Sequence, residues 1–463
     1  MVSFSNLDIS IIITFFVIVL LIGFLSGRKE KDSTEGFLLS GRKVGLFLFI
    51  LTNVATWYGG ILGVGEFTYR YGIVSWFTQG LPYYFFAIIF ALLFAKKVRE
   101  SSLFTIPDKL EEAYGRKVGL LSALLVFILV SPAPYLLMLA NLITLIFGVP
   151  ILYSLLIAIF LSAAYLFKGG YKSDLTTDAF EFFVMFTGFI VIFFFAYNQN
   201  GGMEFLSSSL PESHLKLTGG TSITFVIVWF LIALWTFTDP GFHQRCYAAK
   251  SGKVAKYGII ISVLLWALFD FLTTSTGLYS KAVLQEIDNP VLAFPLLAEE
   301  VLSPGFKGIF YAALFATILS TLNSFLFLSA TTIGKDFICK LKPEQSLDKV
   351  KVYTRWGLLI AAIISVVLAY SIDSVIELWY SIGSLCIPSI IILVIGAYYK
   401  NFLVSKKIAA IEMITAFFIS LLWFLLRDNF GSVNIINEIE PMVMGLTTAL
   451  LIHLYGIFNN KNI

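Results

Sequence analysis

Four hydroxyl side chains fall into register in the run Ala316-Thr317-Ile318-Leu319-Ser320-Thr321-Leu322-Asn323-Ser324. Thr317, Ser320, Thr321 and Ser324 are spaced i, i+3, i+4, i+7, which places them on one stripe of a helix. A hard cation such as sodium takes neutral or anionic oxygens. Hydroxyls at 320 and 321, with a carbonyl freed near 317, can present three oxygens to one ion. The same residue types also bond back to their own helix or fasten neighbouring helices together, so spacing alone leaves both uses open. A facing wall is available: Asn53 and Thr56 share a face one turn before Gly59-Gly60, a pair that can break a helix and expose carbonyls. Beside them, Trp57 and Tyr58 can stack on a solute or simply pack.

Four acids stand in or at the ends of apolar runs: Glu66, Asp178, Asp239 and Asp270. An ionisable group at membrane depth is expensive and defaults to function. Asp178 beside Thr177 suits a helix cap equally well. Asp270, deep among apolar residues, can be held by Thr273 or Thr274. Three Cys and three His show no metal-ligand spacing, and no nucleophile–base pair, phosphate loop or redox motif is visible. An enzyme embedded in the membrane would need a polar catalytic cluster, and the sequence offers none.

The elements that position these residues follow from composition. Hydrophobic residues make up 58% of the 463, charged residues only 13%, and mean hydropathy is +0.88. A soluble chain carries about 25% charged residues; half of that cannot coat a globule of this size. The 46 Phe suit lipid-facing and interfacial positions. Runs long enough to cross a bilayer of about 30 Å fall at 8–26, 44–70, 74–95, 118–147, 150–167, 175–197 and 221–240. Six more fall at 257–280, 308–333, 353–371, 375–398, 408–426 and 441–457, making thirteen. The first reads as a retained helix rather than a signal peptide, because Arg28, Lys29 and Lys31 follow it instead of preceding it.

Positive residues orient the chain. With the N-terminus outside and the C-terminus inside, all but five of the 32 Lys and Arg face the cytoplasm, the exceptions being Arg70, Lys216, Lys281, Lys307 and Arg427. Adding or dropping one span would scramble that partition. The net charge of +3 makes no case for nucleic acid. Cys246, Cys339 and Cys386 then lie inside or in the membrane, where thiols stay reduced. Segments 198–220 and 281–307 read as outer caps, and 104–115 as a cytoplasmic helix with Pro107 in its first turn.

Several spans carry breaks: Gly59-Gly60 with Gly63 and Gly65 in the second, Thr238-Asp239-Pro240-Gly241 ending the seventh, Gly383 and Pro388 in the eleventh. Broken helices persist at membrane depth only where protein or a cavity satisfies the freed backbone, and transporters use them as binding sites. Spans 2–6 and 7–11 start on opposite sides of the membrane, which permits an inverted repeat. Close helix packing is the plainer use of the glycines.

From residue 35 to 400 the chain resembles the sodium/solute symporter family, the carriers for proline, sugars, iodide and sialic acid. The resemblance rests on Ser40-Gly41-Arg42, on Leu62-Gly63-Val64-Gly65-Glu66-Phe67-Thr68-Tyr69-Arg70-Tyr71-Gly72 and on Thr105-Ile106-Pro107-Asp108-Lys109-Leu110-Glu111. Gly169-Gly170, Thr177-Asp178, Asp239-Pro240, Gln244-Arg245-Cys246-Tyr247-Ala248-Ala249-Lys250 and Ser320-Thr321 followed by Asp336 extend it. It implies an all-α polytopic membrane protein forming one transporter domain over 1–463. A LeuT-type core of two inverted five-helix repeats, 44–197 and 221–398, would be preceded by one helix (8–26) and followed by two (408–457). It further implies sodium as coupling ion, held by Asn53, Thr56, Thr317, Ser320 and Thr321, with Asp178 near a sodium exit route or a second site. By position, the solute pocket involves Trp57, Tyr58, Gly59, Gly60, Gln79, Trp235, Tyr380 and Ser384. Sugar and iodide carriers place a polar side chain where this chain has Gly60, so their solute contacts do not transfer. The expected activity is symport of a small organic solute (amino acid, carboxylate or sugar acid) by a monomeric unit in the cell membrane, the inner membrane of a bacterium. A proton-coupled carrier using Asp178 or Asp270, and a membrane sensory module, are the alternatives.

Overall fold

Inside a bilayer only a helix satisfies its own backbone groups, so the apolar runs become helices. The computed structural model describes residues 3–27, 33–341, 349–371, 375–427 and 439–460, the side chains of 375–380 and 460 excepted. In chain order these are α1 (Asn6–Ser26), α2 (Leu46–Ala55), α3 (Ile61–Tyr71), α4 (Val74–Leu93), α5 (Ile106–Tyr114), α6 (Arg116–Phe147) and α7 (Ile151–Asn200). They continue with α8 (Ile223–Ala248), α9 (Gly252–Leu284), α10 (Phe306–Cys339), α11 (Val350–Ser371), α12 (Val375–Tyr398), α13 (Lys406–Leu426) and α14 (Pro441–Asn460). Short helices Met203–Ser209 and Ala293–Val301 fall within the segments 198–220 and 281–307. Among the described residues the one extended pairing is a bridge between Val44 and Ala249. Arg28, Lys29, Lys31, Lys342 and Lys461, used for the charge partition, lie outside the described residues.

Eleven helices among the described residues are long and apolar enough to cross a membrane, two fewer than the runs in the sequence. The fifth and sixth runs are joined in α7, 50 residues long, and the second is split into α2 and α3, each too short alone. Gly170 marks the corner inside α7, at φ 57° and ψ −148°. A Cβ there would also stand 2.6 Å from the Phe37 ring, so only glycine meets both the backbone and the packing demand.

The expected breaks resolve differently. Between α2 and α3 the chain unwinds over Thr56–Gly60. α8 tightens into a 3-10 turn over Ala233–Phe237 and restarts at Pro240. α12 is continuous through Gly383 and Pro388, contrary to the sequence expectation. The proline ring rests against Gly445, where a Cβ would be 2.8 Å from it; neighbouring helices make an interior proline tolerable.

α10 is the centre of the bundle. Every residue from Phe310 to Thr332 is buried, with α7, α11 and α1 packed along it. The outside is apolar instead: Phe47, Phe160, Leu264 and Ile363 are exposed, as lipid-facing side chains must be. Each end of α10 is tied down. Asp8 of α1 accepts from the backbone N–H of Gly305 and of Gly308, both at 2.8 Å, and so caps α10. At the other end Lys335 pairs with Asp108, Lys340 with Glu111 at 2.7 Å, and Thr105 donates to Asp336 at 2.8 Å. These contacts seat α5, whose N-cap is Thr105.

Candidate functional site

The hydroxyl stripe of α10 meets the break between α2 and α3. Ser320 Oγ donates to the Ala55 carbonyl at 2.9 Å, and Thr321 Oγ1 to the Thr56 carbonyl at 2.8 Å. Both carbonyls sit at the C-terminal end of α2, where helical carbonyls lose their partners and gather negative potential. Thr317 lies one turn away; its hydroxyl bonds back to Leu314 at 2.8 Å, and its own carbonyl receives Ser320 at 3.2 Å. Two hydroxyls, two freed carbonyls and the Thr317 carbonyl therefore converge between α2 and α10. The close approach needs Gly59. A Cβ there would stand 2.7 Å from Thr321 Cγ2 and closer still to its Cβ and Oγ1.

Asn53 is buried on α2, and its amide nitrogen finds no protein partner. The Thr56 hydroxyl is engaged otherwise: it donates to the Thr52 carbonyl and receives Arg245. Arg245, on the restarted half of α8, also donates to Ser324 Oγ at 3.3 Å and to the Gly241 carbonyl at 3.2 Å.

Arg245 faces a group of acids that sequence reasoning caught only in part. Asp174, Asp178 and Glu181 are fully buried on α7 just past the Gly170 corner. Ser324 Oγ donates to Asp174 at 2.7 Å, and Arg245 stands 3.6 Å from Asp178. Among the described residues, no carboxylate oxygen of Asp178 or Glu181 has a hydrogen-bond partner. Three carboxylates against one guanidinium leave an excess of negative charge, which an interior of low polarity penalises unless a cation or protons compensate. The spacing i, i+4, i+7 of residues 174, 178 and 181 was the available signal. Asp178 caps nothing; it lies within α7.

Beyond the break lies a cavity of about 340 Å³, within the range of small-ligand sites. Of the solute residues expected from the sequence, Trp57, Tyr58, Gly60, Gln79, Trp235 and Ser384 line it. Gly59 faces Thr321 instead, and the side chain of Tyr380 lies outside the described residues. Sequence reasoning missed Trp76, Tyr83, Trp229 and Asp270 as lining residues, because α4, α8 and α9 are brought together only by the fold. Asp270 is held by the Tyr84 hydroxyl, while Thr273 donates to its backbone carbonyl at 3.3 Å rather than to its carboxylate. Asp239 caps the restart of α8, accepting from Gly241 N at 2.6 Å and Phe242 N at 3.1 Å, and from Trp235 Nε1 at 2.9 Å. Glu66 pairs with Arg70 at 2.9 Å on α3. No group of three His, Cys, Asp or Glu among the described residues is arranged to hold a metal.

Residues 37–406 match a family profile described as the sodium:solute symporter family. A high-affinity choline transporter of Caenorhabditis elegans is 26% identical over 410 residues, 81% of this chain and 70% of the relative. A sodium/proline symporter of Staphylococcus saprophyticus is 23% identical over 470 residues, 95% of this chain and 90% of the relative. Among solved structures, a sodium-coupled sialic acid symporter in a substrate-bound outward-open state superposes with a TM-score of 0.84. That similarity covers 100% of this chain and 99% of the other at 16% identity. A nucleobase-cation-symport-1 family transporter with bromovinylhydantoin bound reaches 0.64 at 14% identity, covering 91% and 94%. At these identities the structures share the fold.

Proposed function

The chain belongs to the sodium:solute symporter family, and from that premise we propose that it imports a small organic solute together with sodium by alternating access. The observation that carries the proposal is the meeting of the Ser320 and Thr321 hydroxyls with the Ala55 and Thr56 carbonyls. Sodium from outside enters between them, its shell completed by the Thr317 carbonyl, with Asn53 and Thr56 framing the α2 side. Bridging α2 to α10, the ion steadies the break, and the break carries Trp57, Tyr58 and Gly60 into the solute cavity. Closure above and opening below release ion and solute. Asp178 with its acidic neighbours draws the ion toward the cytoplasm or holds a second one.

In this reading α7 crosses the membrane twice and α2 with α3 once, giving thirteen crossings with the N-terminus outside and the C-terminus inside. Residues 44–197 and 221–398 form the two inverted repeats, each opening with a broken helix, and residues 8–26 and 408–457 are additions. The unit is a monomer in the cell membrane, the inner membrane of a bacterium. One ion crossing 100 mV supplies about 2.3 kcal/mol, and a tenfold sodium gradient adds about 1.4 kcal/mol. Together they support roughly 500-fold accumulation.

The test is solute uptake by proteoliposomes in sodium against potassium chloride. Ser320→Ala with Thr321→Ala is expected to abolish the sodium dependence while the protein still folds. Uptake unaffected by replacing sodium, but abolished by an uncoupler, would favour proton coupling instead. The buried Asp178 and Glu181 carboxylates, which accept no hydrogen bond among the described residues, are the observation behind that second reading.

A further inference from the structure

Taking the cavity as the solute site, its walls carry charge of one sign. Among the described residues, the lining includes two carboxylates, Asp239 and Asp270, and no Lys, Arg or His. Asp239 is spent on the restart of α8 and on Trp235, three donors meeting its two oxygens. Asp270 is the acid left to act on a solute. Its side-chain donor is a neutral one, the Tyr84 hydroxyl, and among the described lining residues no cation offsets it.

Much of the remaining surface is aromatic. Trp57, Trp76, Tyr83, Trp229 and Trp235 all line the same space, with Trp57 and Tyr83 edge to face at 5.0 Å. Gly80 brings acid and indole together. A Cβ there would stand 2.8 Å from Asp270 Oδ2 and 2.9 Å from Trp76 Cδ1, so the bare backbone leaves room where both side chains meet. Aromatic faces attract cations through their quadrupole, most strongly when water is excluded. A carboxylate beside them adds a charge-assisted contact. An anionic solute would meet the like charge of Asp270 and, among the described lining residues, no Lys, Arg or His, an arrangement that selects against it.

We propose that the transported solute carries a positively charged nitrogen, which docks between Asp270 and the indoles of Trp57 and Trp76, its uncharged part lying toward Trp229 and Ser384. This rests on the symport reading for the use of the cavity, and fixes the charge of the cargo. A primary amine and a quaternary ammonium share the chemistry; hydrogen bonding to Asp270 favours the first, aromatic contact the second.

The experiment is thermal unfolding of the purified protein in detergent, in sodium and in potassium chloride, with millimolar choline, ethanolamine, putrescine, glucose, pyruvate or N-acetylneuraminate. A ligand that binds only the folded state raises the melting temperature. The expected result is stabilisation by at least one of the three cations and by neither pyruvate, N-acetylneuraminate nor glucose. Asp270→Asn, which keeps the shape and removes the charge, should then weaken the active cation roughly ten- to a hundredfold. No shift from any cation, a shift from an anion or glucose alone, or unchanged cation affinity in Asp270→Asn overturns the assignment. The wild-type panel decides even where the variant does not fold. A sodium-dependent shift from an anion would leave symport standing and sink the cargo's charge. A cation shift equal in both salts would do the reverse.

Discussion

Gly59→Ala tests whether the α2–α3 break must press against α10 for sodium to bind. The added Cβ would stand 2.7 Å from Thr321 Cγ2 and nearer to its Cβ and Oγ1. Carbon atoms in contact settle near 3.5–4.0 Å, so the two segments must separate by roughly 1 Å. Thr321 cannot swing aside, since its Cβ is fixed to a fully packed helix. A separation of that size carries the 2.8 and 2.9 Å contacts of Thr321 and Ser320 beyond hydrogen-bond range. Overpacking of this kind costs about 1–3 kcal/mol of stability. Taking each lost ion–oxygen contact as comparable to a hydrogen bond to a charged group, about 1.5–3 kcal/mol, sodium weakens at least tenfold. Sodium titration of solute uptake, or of thermal stability, reads the change directly. Gly45→Ala is the control: it lies at the opposite end of α2, with nothing within 4 Å of its would-be Cβ. If Gly59→Ala folds and half-saturates at the wild-type sodium concentration, the carbonyl–hydroxyl junction is not the ion site.

Two further outcomes follow from the ends of α10. Asp8→Ala removes the acceptor for Gly305 N and Gly308 N and should cost about 2–4 kcal/mol, read as a lower melting temperature; Asp8→Asn, which keeps one acceptor, should cost less. At the other end, burial pushes the Asp108 carboxyl up, but Lys335 and Lys340 outweigh it and hold it below the usual carboxylate range. A depressed folded-state value means that its contribution is fully present above about pH 4. It is lost as pH falls through the folded value, so the melting temperature of the wild type should drop more steeply there than that of Asp108→Asn. Equal acid profiles would show that the Asp108 cluster does not brace α5.

Sequence alone determined what is local. A bilayer forces every long apolar run into a helix, so the helical class and the order of the helices were legible, though the fifth and sixth runs are one helix. So were the break at Gly59-Gly60 and that at Asp239-Pro240, where glycine or proline interrupts an apolar run. Helical spacing put Thr317, Ser320, Thr321 and Ser324 on one stripe without any partner in view. What no local pattern carries is which elements meet. Pro388 looked like a break and is not one, because Gly445 of a distant helix accommodates its ring. The carbonyls opposite the stripe belong to Ala55 and Thr56, 265 residues away. The spacing of Asp174, Asp178 and Glu181 was in the sequence, but that Arg245 comes within 3.6 Å of Asp178 was decided by the fold. Asp270 reaches the cavity only because α9 lies against α4, where Tyr84 holds it across 186 residues. Helix formation is governed by neighbours in the chain, whereas ion and solute sites are built from groups that face one another once the helices have packed.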